Sequence, residues 1–415
     1  MTKASMSKIQ QDPTIVVTGV GVISTIGQSA AQFFANARAG KVAIDRVRGI
    51  DVSGIAADRG SEINDFDMAA HFPGRSDLLQ LGRAKQFALA AARQCIEDAG
   101  FAIAEDPFGV GVAFGFTQGE SKTMERCTDR IAGDGLDAQA VADFADYAPQ
   151  SIPHAIARQF GAWGPSITIG NACSASNFAI GQALDYLRSG EAVAMIAGGA
   201  DAFSRYGYAG FSRLGAIAPD VPRPFSAGRQ GMVPGEGAAM LFLETLHSAT
   251  ARGAKVYAEV AGYGESCDAH HITQPDAHGI VRAMNAALGS CGLSPQEVSY
   301  ISVHGTGTQA SDQAESIAFQ QLFGSHIPPL SSVKSMVGHA MGAASAIECV
   351  AALLSIRDQF LTPTMNYLGA DERCPVDCVP NVGRPARIDT VLKTASAFGG
   401  NNAVVVFRRH QDAGI

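Results

Sequence analysis

The chain has 415 residues, 47% hydrophobic and 17% charged, with 46 glycines and 31 Lys+Arg against 39 Asp+Glu for a net charge of −8. That length fits two or three domains of about 150 residues, or one large fused core. The composition excludes a disordered chain, and the acidic balance argues against nucleic-acid binding, which needs a basic surplus to neutralise phosphates.

The opening MTKASMSKIQQDP has no apolar h-region and reads as a frayed tail. Strands are predicted at Thr14–Gly19, Gly109–Phe114, Ser166–Ile169, Ala192–Ala197 and Ala239–Leu243, then at Val256–Ala261, Val298–His304, Pro329–Val333 and Ala403–Arg408. Between them lie helical patterns at Arg83–Ala99, Ser174–Arg188 and Gly342–Arg357. Such alternation predicts βα units and a parallel sheet, an α/β fold. The third helix opens on GAASA, small residues that permit close packing against a neighbouring backbone. No apolar run reaches about 18 residues, so no membrane span is predicted. The eight cysteines (95, 127, 173, 267, 291, 349, 374 and 378) are scattered, which fits reduced thiols in a cytoplasmic protein.

Two segments echo each other. SITIGNACSAS is a strand, a tight turn and a small-residue helix start, and PLSSVKSMVGHAMGAAS repeats that plan later. Two related halves, residues 1–250 and 251–415, would account for the length.

Three motifs invite a ligand. VVTGVGVIST offers Gly19 and Gly21 of a dinucleotide fingerprint, but Ser24 stands where the third glycine belongs, leaving a strand that ends in a glycine turn. CDAHHITQPDAH mixes soft and hard ligands without a zinc spacing, and CPVDC has no second cysteine pair, so neither predicts a metal site; the first reads as a polar loop near a pocket. The third is the set Cys173, His304 and His339. Cys173 follows a strand at a helix start, where free N–H groups and the helix dipole are expected to lower the thiol pKa. His304 enters a Gly-Thr-Gly-Thr turn, and His339 shares a glycine-bounded loop with Lys334. A cysteine with two histidines and no adjacent acidic orienter suits thioester chemistry.

Taken in order, these blocks resemble the β-ketoacyl-acyl carrier protein synthases, in particular the elongating Cys-His-His (KAS I/II) branch and its polyketide relatives. TGVGVIST, WGPSITIGNACSAS, AMIAGGAD, RPFSAGRQGMVPGEGAAMLFLE, HGTGTQASDQAE and KSMVGHAMGAASAIE carry the likeness over almost the whole chain. The resemblance implies the thiolase fold, two pseudo-repeated halves in an αβαβα five-layered core. It implies decarboxylative condensation of malonyl-carrier protein with an acyl group held on Cys173. His304 and His339 would stabilise the developing enolate, an oxyanion-type role. Lys334 would support them with Glu348 as its ion-pair partner, and Asp312 would be structural. Thr306 and Thr308 would hydrogen-bond the pantetheine arm. The N–H groups of Cys173 and Phe398, beside Gly399, would form the oxyanion hole. No cofactor is implied beyond the phosphopantetheine arriving on acyl carrier protein, and no metal. A homodimer is implied, or a heterodimer with a ketosynthase-like subunit.

The C-terminal TASAFGGNN departs from the resembled pattern N-S-F-G-F-G-G-T-N. Ser396 replaces an aromatic that lines the acyl entrance, and Asn401 replaces a threonine, as in specialised polyene or polyketide ketosynthases. His339 argues against the initiating branch, which carries asparagine there, and GHAM argues against a thiolase. A non-catalytic chain-length-factor partner is the alternative reading, disfavoured by the presence of Cys173. Arg75, Arg83, Lys85 and Arg213 are candidate contacts for the acidic carrier, and Gln118–Tyr147 reads as an irregular segment at the subunit interface and acyl pocket.

Overall fold

A computed structural model describes residues 13–410; the reading of the N-terminal tail falls, Pro13 apart, outside them. The principal strands are β1 (Ile15–Ile23), β2 (Val110–Gly115), β3 (Ser166–Ile169), β4 (Ala194–Asp201), β5 (Gly237–Thr245), β6 (Ala258–Cys267), β7 (Tyr300–Ser302), β8 (Leu330–Ser331), β9 (Thr390–Ala397) and β10 (Asn401–Arg408). They form one ten-stranded sheet in the order β8-β7-β9-β10-β6-β1-β5-β4-β2-β3. Two five-stranded runs therefore meet at β6 and β1, which pair only at Val16↔Glu259 and Val17↔Ala258.

Each strand of one run matches the strand five later in the chain. β1/β5, β5/β4, β6/β10 and β10/β9 pair antiparallel. β4/β2, β2/β3, β9/β7 and β7/β8 pair parallel. The expected parallel sheet is therefore mixed. A parallel neighbour needs a crossover, whereas β9 reverses directly into β10 through Phe398, Gly399 and Gly400, the two glycines at φ +84° and +77°. The β9 strand was not foreseen, because TVLKTASA carries Lys393, Thr394 and Ser396 where a core strand should be apolar.

The helices that position the site are α1 (Arg83–Ala99), α2 (Ser151–Phe160), α3 (Ala175–Ser189), α4 (Arg205–Arg213), α5 (Ala277–Ser290), α6 (Gln309–Phe323) and α7 (Ala344–Asp358). α1 packs on β1, β4 and β5, and α2 on β2 and β3. α5 packs on β6 and β10 with α6 beside it, while α3 and α7 fill the space between the two runs. The result is the expected five-layered αβαβα core. Three buried apolar clusters follow that layering, with the central one contributed by α3, α7 and the facing strands. α1 has the predicted bounds, and α3 and α7 begin one and two residues later than expected.

The sequence echo is a structural repeat. α3 and α7 are each 15 residues long. Each follows a 3-10 turn, Ala172–Ser174 or Met341–Ala343. The first residue of each turn, Ala172 or Met341, has a left-handed backbone at φ +45° or +50°, a strained conformation for a residue with a Cβ. In this register Cys173 occupies the place of Gly342.

Two expectations about loops are corrected. β1 runs through Gly19 and Gly21 instead of ending there; a Cβ at either would overlap the carbonyl of Cys95 or Ala91 on α1. These glycines allow helix and strand to touch, and no phosphate turn exists. Gln118–Tyr147 is not irregular: it holds the helices Ser121–Asp134 and Ala138–Tyr147, the second capped by Asp137, whose Oδ1 accepts the Ala140 N–H at 2.7 Å.

Candidate active site

A cavity of about 420 Å³ is lined by Cys173, His304, His339, Thr306, Thr308, Ser396 and Phe398. The fold brings together, from both runs, side chains up to 225 positions apart in sequence. Cys173 arrives on the 3-10 turn between β3 and α3, His304 on the loop after β7, and His339 on the loop before α7.

The thiol of Cys173 is pushed up to about 12, first by burial and against the pull of Lys334. This overturns the lowered pKa expected from a helix start. At 7% exposure the residue is enclosed, and desolvation of a thiolate outweighs the attraction of the helix terminus and the lysine. The resting side chain of Cys173 is therefore a thiol.

Both imidazoles are neutral. Burial, then the charge of Lys334, holds His304 and His339 well below the usual imidazole range. His339 Nδ1 accepts the Met341 N–H at 3.1 Å, and His304 Nδ1 lies 3.4 Å from Lys334 Nζ. With Nδ1 acting as acceptor in each ring, the hydrogen is assigned to Nε2. The rings stand edge to face, 82° apart with centroids 5.6 Å distant. They thus offer two N–H donors where a negative oxygen could form.

Beneath them lies a buried ion network. Lys334 Nζ donates to the His304 carbonyl at 2.6 Å and pairs with Glu348 Oε1. Glu348 Oε2 faces Lys393 Nζ on β9 at 2.7 Å. The pairing of Lys334 with Glu348 is as the sequence reading expected; Lys393 was missed, because its strand was. Glu315, on α6, was also missed as a site residue. Its carboxylate accepts the N–H of His304 at 2.9 Å and of Gly305 at 2.7 Å, and its Oε1 accepts the Thr394 hydroxyl at 3.1 Å. Helical spacing held the clue: Asp312 and Glu315, three apart, share one face of α6. Asp312 accepts the N–H of Phe225 at 2.8 Å and of Gly307 at 3.1 Å, fixing the Gly-Thr-Gly-Thr turn. Burial lifts its carboxyl to about 7.

Asp201, at the end of β4, went unassigned and has an architectural part. It accepts four backbone N–H groups, from Thr117 (2.9 Å), Gln118 (2.8 Å), Gly119 (2.6 Å) and Gly342 (2.6 Å). One carboxylate therefore ties the β2 loop to the turn that starts α7.

At the cavity mouth, Thr306 Oγ1 and Thr308 Oγ1 are 2.9 Å apart. Phe398 is 37% exposed and rests 5.8 Å from the Phe211 ring. The amides of Gly399 and Gly400 are committed to Ile272 O (2.8 Å) and Ala397 O (3.1 Å). The CDAHHITQPDAH segment is the expected polar loop beside the pocket. His271, Ile272, Thr273, Gln274 and Pro275 line the cavity, and Asp268 accepts the Asn402 side-chain amide at 2.6 Å. Among the described residues no three His, Cys, Asp or Glu side chains gather as a metal ion would require. Cys374 and Cys378 are buried free thiols in the apolar cluster of the second run.

Of the four proposed carrier contacts, two are withdrawn. Lys85 is 1% exposed and paired with Asp146, and Arg83 is held by Glu236 at 2.7 Å and 2.9 Å. Arg75 is exposed but paired with Asp77 at 2.7 Å. Arg213 is exposed at the end of α4, next to the cavity-lining Leu214.

The family profile "Beta-ketoacyl synthase, N-terminal domain" matches residues 12–249, and "Beta-ketoacyl synthase, C-terminal domain" matches 257–368. Nodulation protein E of Rhizobium meliloti (strain 1021) is 36% identical over 402 residues, covering 96% of this chain and 100% of the relative. The 3-oxoacyl-[acyl-carrier-protein] synthase 2 of Synechocystis sp. (strain ATCC 27184 / PCC 6803 / Kazusa) is 37% identical over 417 residues, covering 96% and 98%. Among solved structures, the ishigamide ketosynthase/chain length factor superposes with a TM-score of 0.91 at 39% identity, covering 96% of this chain and 100% of that one.

Proposed function

The chain belongs to the beta-ketoacyl synthase family, and on that premise we propose that Cys173, His304 and His339 carry its reaction. The enzyme is a 3-oxoacyl-[acyl-carrier-protein] synthase, which elongates an acyl chain by condensation with a carrier-bound unit. The observation that carries the residue assignment is the shared cavity of a protonated thiol and two neutral imidazoles, each presenting Nε2–H.

In the first half-reaction the Cys173 sulfur attacks the acyl thioester of a phosphopantetheine arm. An S–C bond forms, the arm's C–S bond breaks, and the Cys173 proton passes to the departing thiolate. The arm itself comes with the carrier, and Thr306 and Thr308 line its entry. The N–H groups of Cys173 and Phe398 hold the tetrahedral oxygen. In the second, a malonyl thioester loses CO2, and the bonding electrons move onto its thioester oxygen between His304 and His339. The enolate carbon then attacks the acyl-Cys173 carbonyl, and the bond to the Cys173 sulfur breaks. That sulfur leaves as a thiolate that takes a proton from solvent, freeing a 3-oxoacyl product two carbons longer. Lys334, Glu348, Glu315 and Asp312 are positioning residues: they fix the imidazoles and the turn without touching substrate.

The mirrored strand pairings support reading residues 1–250 and 251–415 as two fused halves. The exposed edge at β3 supports the reading that a second subunit docks there. That strand is one of the two edges of the sheet, half-exposed, and Trp163 and Phe108 beside it are 59% and 70% exposed. A homodimer and a heterodimer with a ketosynthase-like subunit both fit this edge. Free cysteines throughout support a cytoplasmic setting, and no helix among the described residues is long and apolar enough to cross a membrane.

Intact-protein mass spectrometry with acyl- and malonyl-carrier protein tests the reading. Acyl mass should add to the wild type and not to Cys173→Ala. Condensation retained by the variant would sink the assignment. A wild type that never loads would favour the chain-length-factor reading.

A further inference from the structure

The side chain of Ser396 is unexplained by the reaction as derived. It is 6% exposed, it lines the cavity of Cys173 and the two histidines, and its hydroxyl has no hydrogen-bond partner. Ser396 lies on β9 two residues beyond Thr394, so the two side chains share a face of the strand. The Thr394 hydroxyl reaches the His304 backbone N–H at 3.2 Å, which puts Ser396 one step further along, at the cavity itself. The apolar side chains of Ala397, Phe398, Phe211 and Met232 line the same cavity. An occupant of the cavity that supplied a partner would satisfy this hydroxyl.

Resting on the condensing reading, we propose that Ser396 determines acyl specificity by hydrogen-bonding a hydroxyl or carbonyl oxygen that the acyl chain carries close to its thioester. The enzyme then favours oxygenated over plain saturated acyl groups. The malonyl carboxylate is the poorer occupant. A donor to that carboxylate would stabilise the state before CO2 leaves and lose its partner afterwards, slowing the step.

The test compares acylation of Cys173 by octanoyl- and 3-hydroxyoctanoyl-carrier protein, followed by intact mass spectrometry. Wild type should load the hydroxyacyl group roughly tenfold faster, the weight of one neutral hydrogen bond. Ser396→Ala should bring that ratio close to one, and Ser396→Thr, which keeps the hydroxyl, should retain it. A wild type without preference overturns the proposal, as does a ratio that Ser396→Ala leaves intact. Equal loss of both rates in Ser396→Ala overturns it too, assigning the hydroxyl to the common pantetheine arm. So does a change confined to malonyl decarboxylation, which assigns it to the extender unit. Failure of wild type to load either group defeats the condensing reading itself, and this proposal with it.

Discussion

The ring of His339 accepts the backbone N–H of Met341 at 3.1 Å, and Met341 can present it because its own backbone is left-handed at φ +50°. A strained residue thus sets the tautomer of a neighbouring imidazole. The same left-handed step at Ala172 delivers Cys173 in the other half. The repeated turn carries Cys173 on one side and orients the His339 ring on the other.

Because burial holds both imidazoles well below their usual range, they stay neutral as the pH falls through the value where a free histidine charges. Malonyl decarboxylation should therefore stay level from about pH 8 down to about pH 6. A rate profile that halves near the ordinary imidazole pKa would contradict the two-neutral-imidazole arrangement.

The thiol at about 12 carries a prediction of opposite sign. Its reactive thiolate is scarce at neutral pH and gains with every step upward. Alkylation of Cys173 by iodoacetamide should keep rising from about pH 7 to about pH 10, past the point where an ordinary thiol levels off. A plateau near pH 7 would mean a stabilised thiolate, as the sequence alone had led one to expect.

Glu348 forms ion pairs with both Lys334 and Lys393. Glu348→Gln leaves two buried ammonium groups with a neutral partner and should cost about 3–5 kcal/mol of stability. Lys393→Met, which removes only one of the charges, should cost less. Urea unfolding of the two variants ranks them, and the reverse order would refute a network centred on Glu348.

Gly21→Ala would press a methyl group into the Ala91 carbonyl of α1. Thermal unfolding should show a loss of about 3 kcal/mol or failure to fold, since neither backbone can yield cheaply. A variant as stable as wild type would mean that β1 and α1 do not meet as closely as described.

Charge reversal separates surface from core. Arg213→Glu, at the cavity mouth, should raise KM for the carrier severalfold and leave unfolding unchanged. Lys85→Glu should instead lower the melting temperature, because it sets a second acid against Asp146 in a buried pair. An unaltered KM for Arg213→Glu would move the carrier elsewhere.

Much of the site was legible in the sequence because short-range patterns announce it. Cys173, His304 and His339 each sit where a strand or loop ends in small residues, and Lys334 with Glu348 lies within one loop and helix. What stayed hidden were groups whose meaning is a long-range pairing. Lys393 and Thr394 look out of place in a strand until Glu348 and Glu315 are seen to meet them. Gln118–Tyr147 likewise holds two helices that the sequence reading missed.

The sequence by itself determined the α/β alternation, the internal repeat and the candidate trio Cys173, His304 and His339, since those follow from local periodicity and the residues at strand ends. The five-layered core came from the family resemblance. Only the tertiary structure decided the protonation states. Whether a thiol is a thiolate and an imidazole neutral depends on how completely the two halves shut out water around them, and that closure is made by contacts between residues far apart in the chain. The same closure left the Ser396 hydroxyl buried, unpartnered and facing the substrate's space.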